Sequence, residues 1–256
     1  MDRKQLEALF DLTGRVAIVT GGTRGIGRSI AEGLVAAGAK VAVASRKAES
    51  CAETEAHLVG MGGEAIGVPT HMGDVDGVNA LVDTTVERFG QVDIVVNNAA
   101  TALTLPIGEL TLDAWEKSIG VNLRGPVFLV ERALPHLERS PHGVILNVIS
   151  AGAFLFSART AMYAAAKAGL MAMTRSQAAS LAERGIRSNA LAPGTVDTDM
   201  VRANTEEQVA SMTAASFMKR AASPDEMVGP ALFLVSDASS FMTGQVVIVD
   251  GGLTPH

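Results

Sequence analysis

The chain has 256 residues, 48% apolar but only 4% aromatic, with a formal net charge of −6, and no linker-like composition shift divides it, so it reads as a single domain over 1–256. Mild acidity without a dense Lys/Arg block argues against nucleic acid as a partner, and no apolar run reaches a membrane span. The lone Cys51 allows neither an internal disulfide nor CxxC metal-ligand spacing, and MDRKQLEALFDLTGR has no signal-peptide core, so a reducing, cytoplasmic setting is expected.

In chain order, two patterns alternate. Short β-branched runs fall at 16–20, 41–45, 65–68, 94–97, 144–148, 187–191 and 246–250. Most are continuously apolar, as parallel strands covered on both faces must be. Helix-like stretches fill the gaps at 27–37, 48–60, 77–89, 112–138, 162–182 and 225–234. The alternation predicts an α/β fold, a doubly wound parallel sheet of about seven strands with helices on both faces. Between 194 and 222 the rhythm fails: the segment is polar, with Met and Ala, and shows no strand pattern. Such an insert after a strand's carboxyl end is expected to cover a ligand site as a lid, the alternative being a loose surface loop.

The first strand runs into Thr20-Gly21-Gly22-Thr23-Arg24-Gly25-Ile26-Gly27 and then a helix. Gly21 permits a tight turn, Gly25 lets the backbone approach a pyrophosphate, and Gly27 lets helix and strand pack closely. The helix start then offers free N–H groups and the positive end of its dipole. Gly21, Thr23, Arg24, Gly25, Ile26 and Gly27 are therefore candidate cofactor-binding residues. At the end of the second strand, an acid would bind the ribose 2′-hydroxyl of NAD(H) and repel a 2′-phosphate. Here the strand ends Ser45-Arg46-Lys47. With Arg24 reaching the same side, Ser45 and Arg46 favour NADP(H), with NAD(H) the alternative.

Tyr163 is the only tyrosine, and Lys167 follows one helical turn later. A tyrosine hydroxyl titrates near about 10, too high for a base at neutral pH. A neighbouring ammonium favours the tyrosinate and could tune it toward acid/base work. The apolar, Ala-rich stretch around the pair suggests a buried face. Ser150 lies at the carboxyl end of a predicted strand, where its hydroxyl could hold a carbonyl oxygen beside Tyr163. It has no GxSxG elbow of a hydrolase.

TGGTRGIG, NNAA at 97–100, VNLRG around Asn122, Ser150, YAAAK at 163–167, PGTVDTDM at 193–200 and the closing SDASSFMTGQVVIVDGG recur in one order. Together they resemble the short-chain dehydrogenase/reductase family over nearly the whole chain. The branch they resemble most holds 3-oxoacyl-carrier-protein and carbonyl reductases. The resemblance implies a single-domain Rossmann-type fold that transfers a hydride between nicotinamide and a ketone or secondary alcohol. It implies a catalytic tetrad of Asn122, Ser150, Tyr163 and Lys167. Tyr163 would exchange the proton, and Ser150 would orient the carbonyl. Lys167 would lower the tyrosine pKa and hold the nicotinamide ribose, and Asn122 would anchor a relay water. Asn98 and Ala99 would border the adenosine half, and Pro193, Gly194, Val196 and Thr198 the nicotinamide, with Tyr163 and Lys167 also touching the cofactor. A homodimer or homotetramer is expected, packed through the helices from Met162 and Leu112. The enoyl-reductase branch spaces its Tyr and Lys more widely.

Two positions depart from the family pattern. Ala100 replaces a glycine, and His71 and Met72, with Asp74 further on, stand where an Asp-hydrophobic pair often meets adenine. The substrate is expected to be read by 151–158 and 195–217. Phe154, Leu155, Phe156, Met200, Met212 and Phe217 either form an apolar pocket or pack the core. Sugar, steroid and cyclic-alcohol dehydrogenases of the same family remain alternatives, as does a catalytically silent dinucleotide sensor.

Overall fold

Seven apolar runs pair side by side as parallel strands: β1 (Val16–Thr20), β2 (Lys40–Ser45), β3 (Ala65–Pro69), β4 (Ile94–Asn97), β5 (Val144–Val148), β6 (Arg187–Pro193) and β7 (Val246–Val249). Their spatial order is β3-β2-β1-β4-β5-β6-β7. This computed structural model describes residues 1–155 and 159–254. The helices are α1 (Arg3–Ala8), α2 (Gly25–Ala36), α3 (Ala48–Gly60), α4 (Val75–Phe89), α5 (Leu112–Ile119), α6 (Gly125–Leu137), α7 (Ala161–Leu181), α8 (Asp199–Arg202), α9 (Glu206–Ala214) and α10 (Val228–Val235).

The two-residue period of a strand explains why the runs must be apolar throughout. Ala17, Val19, Val41, Val43, Val96 and Leu146 pack on one face beneath Ile30 and Leu34 of α2 and Ala231 and Leu234 of α10. Ile18, Ala42, Val95 and Ile145 point the other way, beneath Val78 and Leu81 of α4 and Leu129 and Ala133 of α6. From β1 the chain winds outward through β2 and β3, then returns to β4 on the far side of β1. That reversal opens a crevice at the carboxyl ends of β1 and β4, where such sheets bind ligands.

The helix expected over 112–138 is interrupted. Gly120–Arg124 forms a π-helical turn between α5 and α6, closed by the Gly125 N–H on the Gly120 carbonyl. Two local features permit the extra residue. Gly125 has no side chain where a Cβ would lie 2.1 Å from the Met72 carbonyl oxygen. Pro126 has no N–H, so the α-helical ladder lacks the donor that would serve the Asn122 carbonyl. The insert after β6 holds two helices, α8 and α9. Its base is closed by a bridge between Val196 and Ala222, with Asp197 N donating to Ala222 O at 2.8 Å.

A chain of buried polar groups ties α7 to the middle of the sheet. Asn97 Nδ2 donates to Asn147 Oδ1 across β4 and β5 at 2.9 Å. Asn147 Nδ2 reaches Thr174 Oγ1 at 2.9 Å and Gln177 Oε1 at 3.1 Å on α7, and Ser188 of β6 donates to the same Gln177 oxygen at 3.0 Å. Leucine at position 147 would fill the space yet leave the Asn97 amide only its 3.4 Å bond to the Pro126 carbonyl and Gln177 one donor short. Asn147→Leu is therefore expected to lower the unfolding free energy by about 2–4 kcal/mol, measured by urea denaturation.

Candidate functional site

At the end of β1 the backbone turns through Gly21 (φ +64°) and Gly25 (φ +52°), conformations that glycine adopts without a Cβ penalty. The turn also has no room for side chains. A Cβ on Gly21 would lie 2.9 Å from Ala99 Cα, and one on Gly27 would lie 2.3 Å from both the Gly21 oxygen and Asn98 Nδ2. Asn98 and Ala99 form a strap across this turn. Asn98 Nδ2 donates to Thr20 O at 2.9 Å, while Thr20 Oγ1 accepts from the Asn98 and Ala99 N–H groups at 3.0 and 3.1 Å. Helix α2 starts here with no side-chain cap, so its first-turn N–H groups remain available.

A cavity of about 620 Å³ runs along the carboxyl edge of the sheet from this turn. Gly21, Thr23, Arg24, Gly25, Ile26 and Gly27 line it, with Ser45 and Arg46 at one end. Asn98, Ala99, Ser150, Tyr163, Lys167, Pro193, Gly194, Val196 and Thr198 line the remainder. The candidate residues drawn from six separate stretches of sequence thus share one crevice, apart from Asn122, which is fully buried beside it. A turn stripped of side chains, an uncapped helix start and an elongated crevice fit a diphosphate with a group at either end, the form of a nicotinamide dinucleotide.

Tyr163 stands in the first turn of the 21-residue helix α7, where the dipole favours negative charge. It is hydrogen-bonded to Ser150. Ser150 Oγ accepts from Gly152 N at 3.0 Å, which leaves its own proton free to be donated to Tyr163 or a ligand oxygen. Lys167 is 1% exposed, and its Nζ donates to the Val148 carbonyl at 2.7 Å, 5.8 Å from the centre of the Tyr163 ring. Burial pushes Tyr163 above its ordinary value, opposed by the Ser150 hydrogen bond, and brings Lys167 down to about 8. In the protein alone, then, dehydration outweighs the Ser150 hydrogen bond, and Tyr163 is raised where the sequence predicts it lowered.

Asn122 sits in the π-helical turn, and its side chain is fully engaged. Its Oδ1 accepts from Thr101 N at 2.9 Å, and its Nδ2 donates to Thr101 O at 2.8 Å and Ser118 Oγ at 3.3 Å. The amide clamps the loop after β4, so a water beside this residue would meet the backbone carbonyl relieved of its donor by Pro126.

Other candidates divide. Arg24 does not stand free, because its Nη1 is paired with Asp199 Oδ2 at 2.9 Å. His71 and Met72 line the crevice, whereas Asp74 caps α4 by accepting from Asp76 N. Met200 lines the crevice as well. Phe154 packs into a small cluster with Ile149 and Leu170, while Leu155, Met212 and Phe217 are exposed and lie outside the crevice lining. Phe156 and Ala158 fall outside the described residues. Sequence reasoning missed Lys47, Ser50, Thr101 and Asp199. Lys47 could have been found beside Arg46, but nothing local marks Thr101 or Asp199, whose partners come from distant elements.

A family model described as "Enoyl-(Acyl carrier protein) reductase" matches residues 21–254. The "Short chain dehydrogenase/reductase astE" of Aspergillus oryzae is 40% identical over 257 residues, spanning 97% of this chain and 98% of that relative. A "3-oxoacyl-[acyl-carrier-protein] reductase" of Synechocystis sp. is 36% identical, spanning 94% of this chain and 98% of its own. Among solved structures, a "3-oxoacyl (acyl-carrier-protein) reductase" from Agrobacterium tumefaciens C58 with NADP bound superposes with a TM-score of 0.90, at 36% identity, over 96% of this chain and 97% of its own.

Buried Lys167 makes stability depend on pH in a defined direction. Its folded value, about 8, lies below the ordinary 10.5, so between them the unfolded chain binds more protons and this residue's contribution rises with pH. At neutral pH it instead carries the cost of burying a charge. Lys167→Met should therefore fare best against wild type near pH 7 and lose ground steadily toward pH 10, in paired urea midpoints. A gap that is constant with pH would contradict the depressed value.

Proposed function

Since the chain belongs to the short-chain dehydrogenase/reductase family, an oxidoreductase family working on alcohols and carbonyls with nicotinamide cofactors, we propose that it is an NADP(H)-dependent reductase of ketones, reversible on secondary alcohols. The observation that carries this reading is Tyr163, hydrogen-bonded to Ser150 above buried Lys167, at one end of the crevice that begins at the glycine turn.

When bound, the cofactor supplies the hydride to the carbonyl carbon. The chain's own residues do the remaining work. The uncapped start of α2 and the glycine turn would hold the diphosphate, and Asn98 and Ala99 would border the adenosine half. Ser150 directs its hydroxyl proton at the substrate oxygen, and Tyr163 transfers its phenolic proton to that oxygen as the alcohol forms. Burial makes neutral Tyr163 the stable form of the free protein, suited to act as an acid. Lys167, which donates to the Val148 carbonyl and lines the crevice, would hold the ribose hydroxyls of a bound cofactor. Its ammonium, the dipole of α7 and a cationic nicotinamide ring together favour the tyrosinate needed in the oxidative direction. A water at the Asn122 backbone carbonyl would return the proton to Tyr163, with the Asn122 amide as the clamp that holds the turn in shape.

The phosphate preference is supported by the end of β2, where Ser45, Arg46 and Lys47 line the crevice and no acid stands. The NADP in the Agrobacterium relative agrees with it. The four-residue spacing of Tyr163 and Lys167 supports carbonyl over enoyl reduction, despite the description of the matching family model. With the relative from Synechocystis, it makes 3-oxoacyl thioesters the first substrates to try. Leu112, Trp115 and Phe128 leave exposed apolar surface on α5 and α6, which supports a homodimer or homotetramer. Light scattering that returned a monomer would remove that assembly.

Purified protein mixed with NADPH and a panel of ketones, 3-oxoacyl and enoyl thioesters should oxidise NADPH with the keto compounds. Tyr163→Phe should lose a factor of about 10²–10⁴ in kcat. Faster turnover with NADH would overturn the phosphate preference. Turnover of the enoyl thioesters alone would move the reading to that branch, and binding without turnover would favour a sensor.

A further inference from the structure

We infer that Asp199, at the start of the insert, is a specificity-determining residue that competes with the 2′-phosphate of the cofactor for Arg24. The inference rests on the NADP(H) reading above and extends it to a residue in a different part of the chain.

Four observations carry it. First, the Arg24–Asp199 pair, at 2.9 Å, joins residues 175 positions apart, and both line the crevice that also holds Ser45 and Arg46. Second, the insert is seated directly on the glycine turn at this point. Thr198 Cγ2 lies 3.1 Å from where a Cβ on Gly25 would be. The carboxylate is therefore delivered by a docked stem, whose base is closed by the Val196–Ala222 bridge. Third, both side chains are well exposed, 70% for Arg24 and 57% for Asp199, so the pair is weak enough to exchange. Fourth, exchange leaves no charge stranded. Arg202, held by Asp197 at 2.7 and 2.9 Å, has its Nη1 4.0 Å from Asp199 Oδ1 and remains as a partner when Arg24 leaves.

A phosphate dianion is a stronger partner for a guanidinium than one carboxylate, because it carries more charge and can be gripped bidentately. A cofactor with a 2′-phosphate can therefore take Arg24 from Asp199. One without it leaves the pair intact and binds without regard to Asp199. The carboxylate thus sets the affinity for the phosphate against a competitor already in place, which lowers it by the strength of one exposed ion pair.

Calorimetric titration of NADPH, NADH and 2′,5′-ADP into wild type, Asp199→Asn, Arg24→Ala and the double variant tests this. Asp199→Asn should bind NADPH and 2′,5′-ADP about two- to fivefold more tightly, with NADH unchanged. In the Arg24→Ala background the same substitution should have no effect. Weaker NADPH binding by Asp199→Asn would mean that the carboxylate orients Arg24 for the phosphate, overturning competition. An equal gain for NADH, or a gain that persists without Arg24, would assign the effect to general charge and overturn it too. If wild type prefers NADH and ignores 2′,5′-ADP, the NADP(H) reading itself fails and the inference with it. Absence of any Asp199 effect on a protein that prefers NADPH defeats the inference alone.

Discussion

The site depends on one packing relation: α7 lies against β5 and β6 with polar groups facing inward. Lys167 reaches the Val148 carbonyl, and Thr174 and Gln177 meet Asn147, which in turn meets Asn97. Every one of these groups would be costly in a dry interior without its partner. These bonds tie α7 to β5, and the same helix carries Tyr163 to the crevice. The same dryness shapes the electrostatics. It raises Tyr163 and lowers Lys167, so the free protein keeps the phenol neutral while the ammonium remains close to the point of losing its proton. Cationic charge brought by a cofactor would act on a pair already poised.

At the opposite end of the crevice the constraint is steric. Gly21, Gly27 and the Asn98 amide approach so closely that no side chain fits among them. β1, β4 and α2 converge there, which creates the backbone cradle at the point where the strand order reverses. The crevice has one end built from absent side chains and another around the buried Lys167. A ligand held by its diphosphate at the first is extended toward the second. The π-helical turn at Gly120–Arg124 serves the second end, since it lets Asn122 clamp the loop after β4 while its carbonyl loses the usual helical donor.

The insert after β6 meets the crevice at the glycine turn. Its stem touches the glycine turn through Thr198 and Arg24 through Asp199, and Met200 lines the crevice nearby. Its ion pairs are exposed and therefore weak.

Local rules wrote much of this in advance. Continuous apolar runs alternating with helical stretches foretold seven parallel strands in a doubly wound sheet. A strand-glycine-helix string foretold the cradle at Gly21–Gly27, and the turn spacing of Tyr163 and Lys167 put them on one helix face lining the crevice, with Lys167 buried and Tyr163 partly so. Those features depend on neighbours a few residues apart, which a sequence displays directly. Three things depended on the folded chain. The helix expected over 112–138 broke where Gly125 had to clear the carbonyl of Met72, some fifty residues earlier. Arg24 found Asp199 across 175 positions, a pairing that neither residue's surroundings announce. Tyr163 moved up rather than down because its burial, a property of the whole packed interior, outweighed the Ser150 hydrogen bond that opposes it. Short-range geometry is written residue by residue, whereas dehydration and long-range pairing exist only once the sheet, its helices and the insert have closed around them.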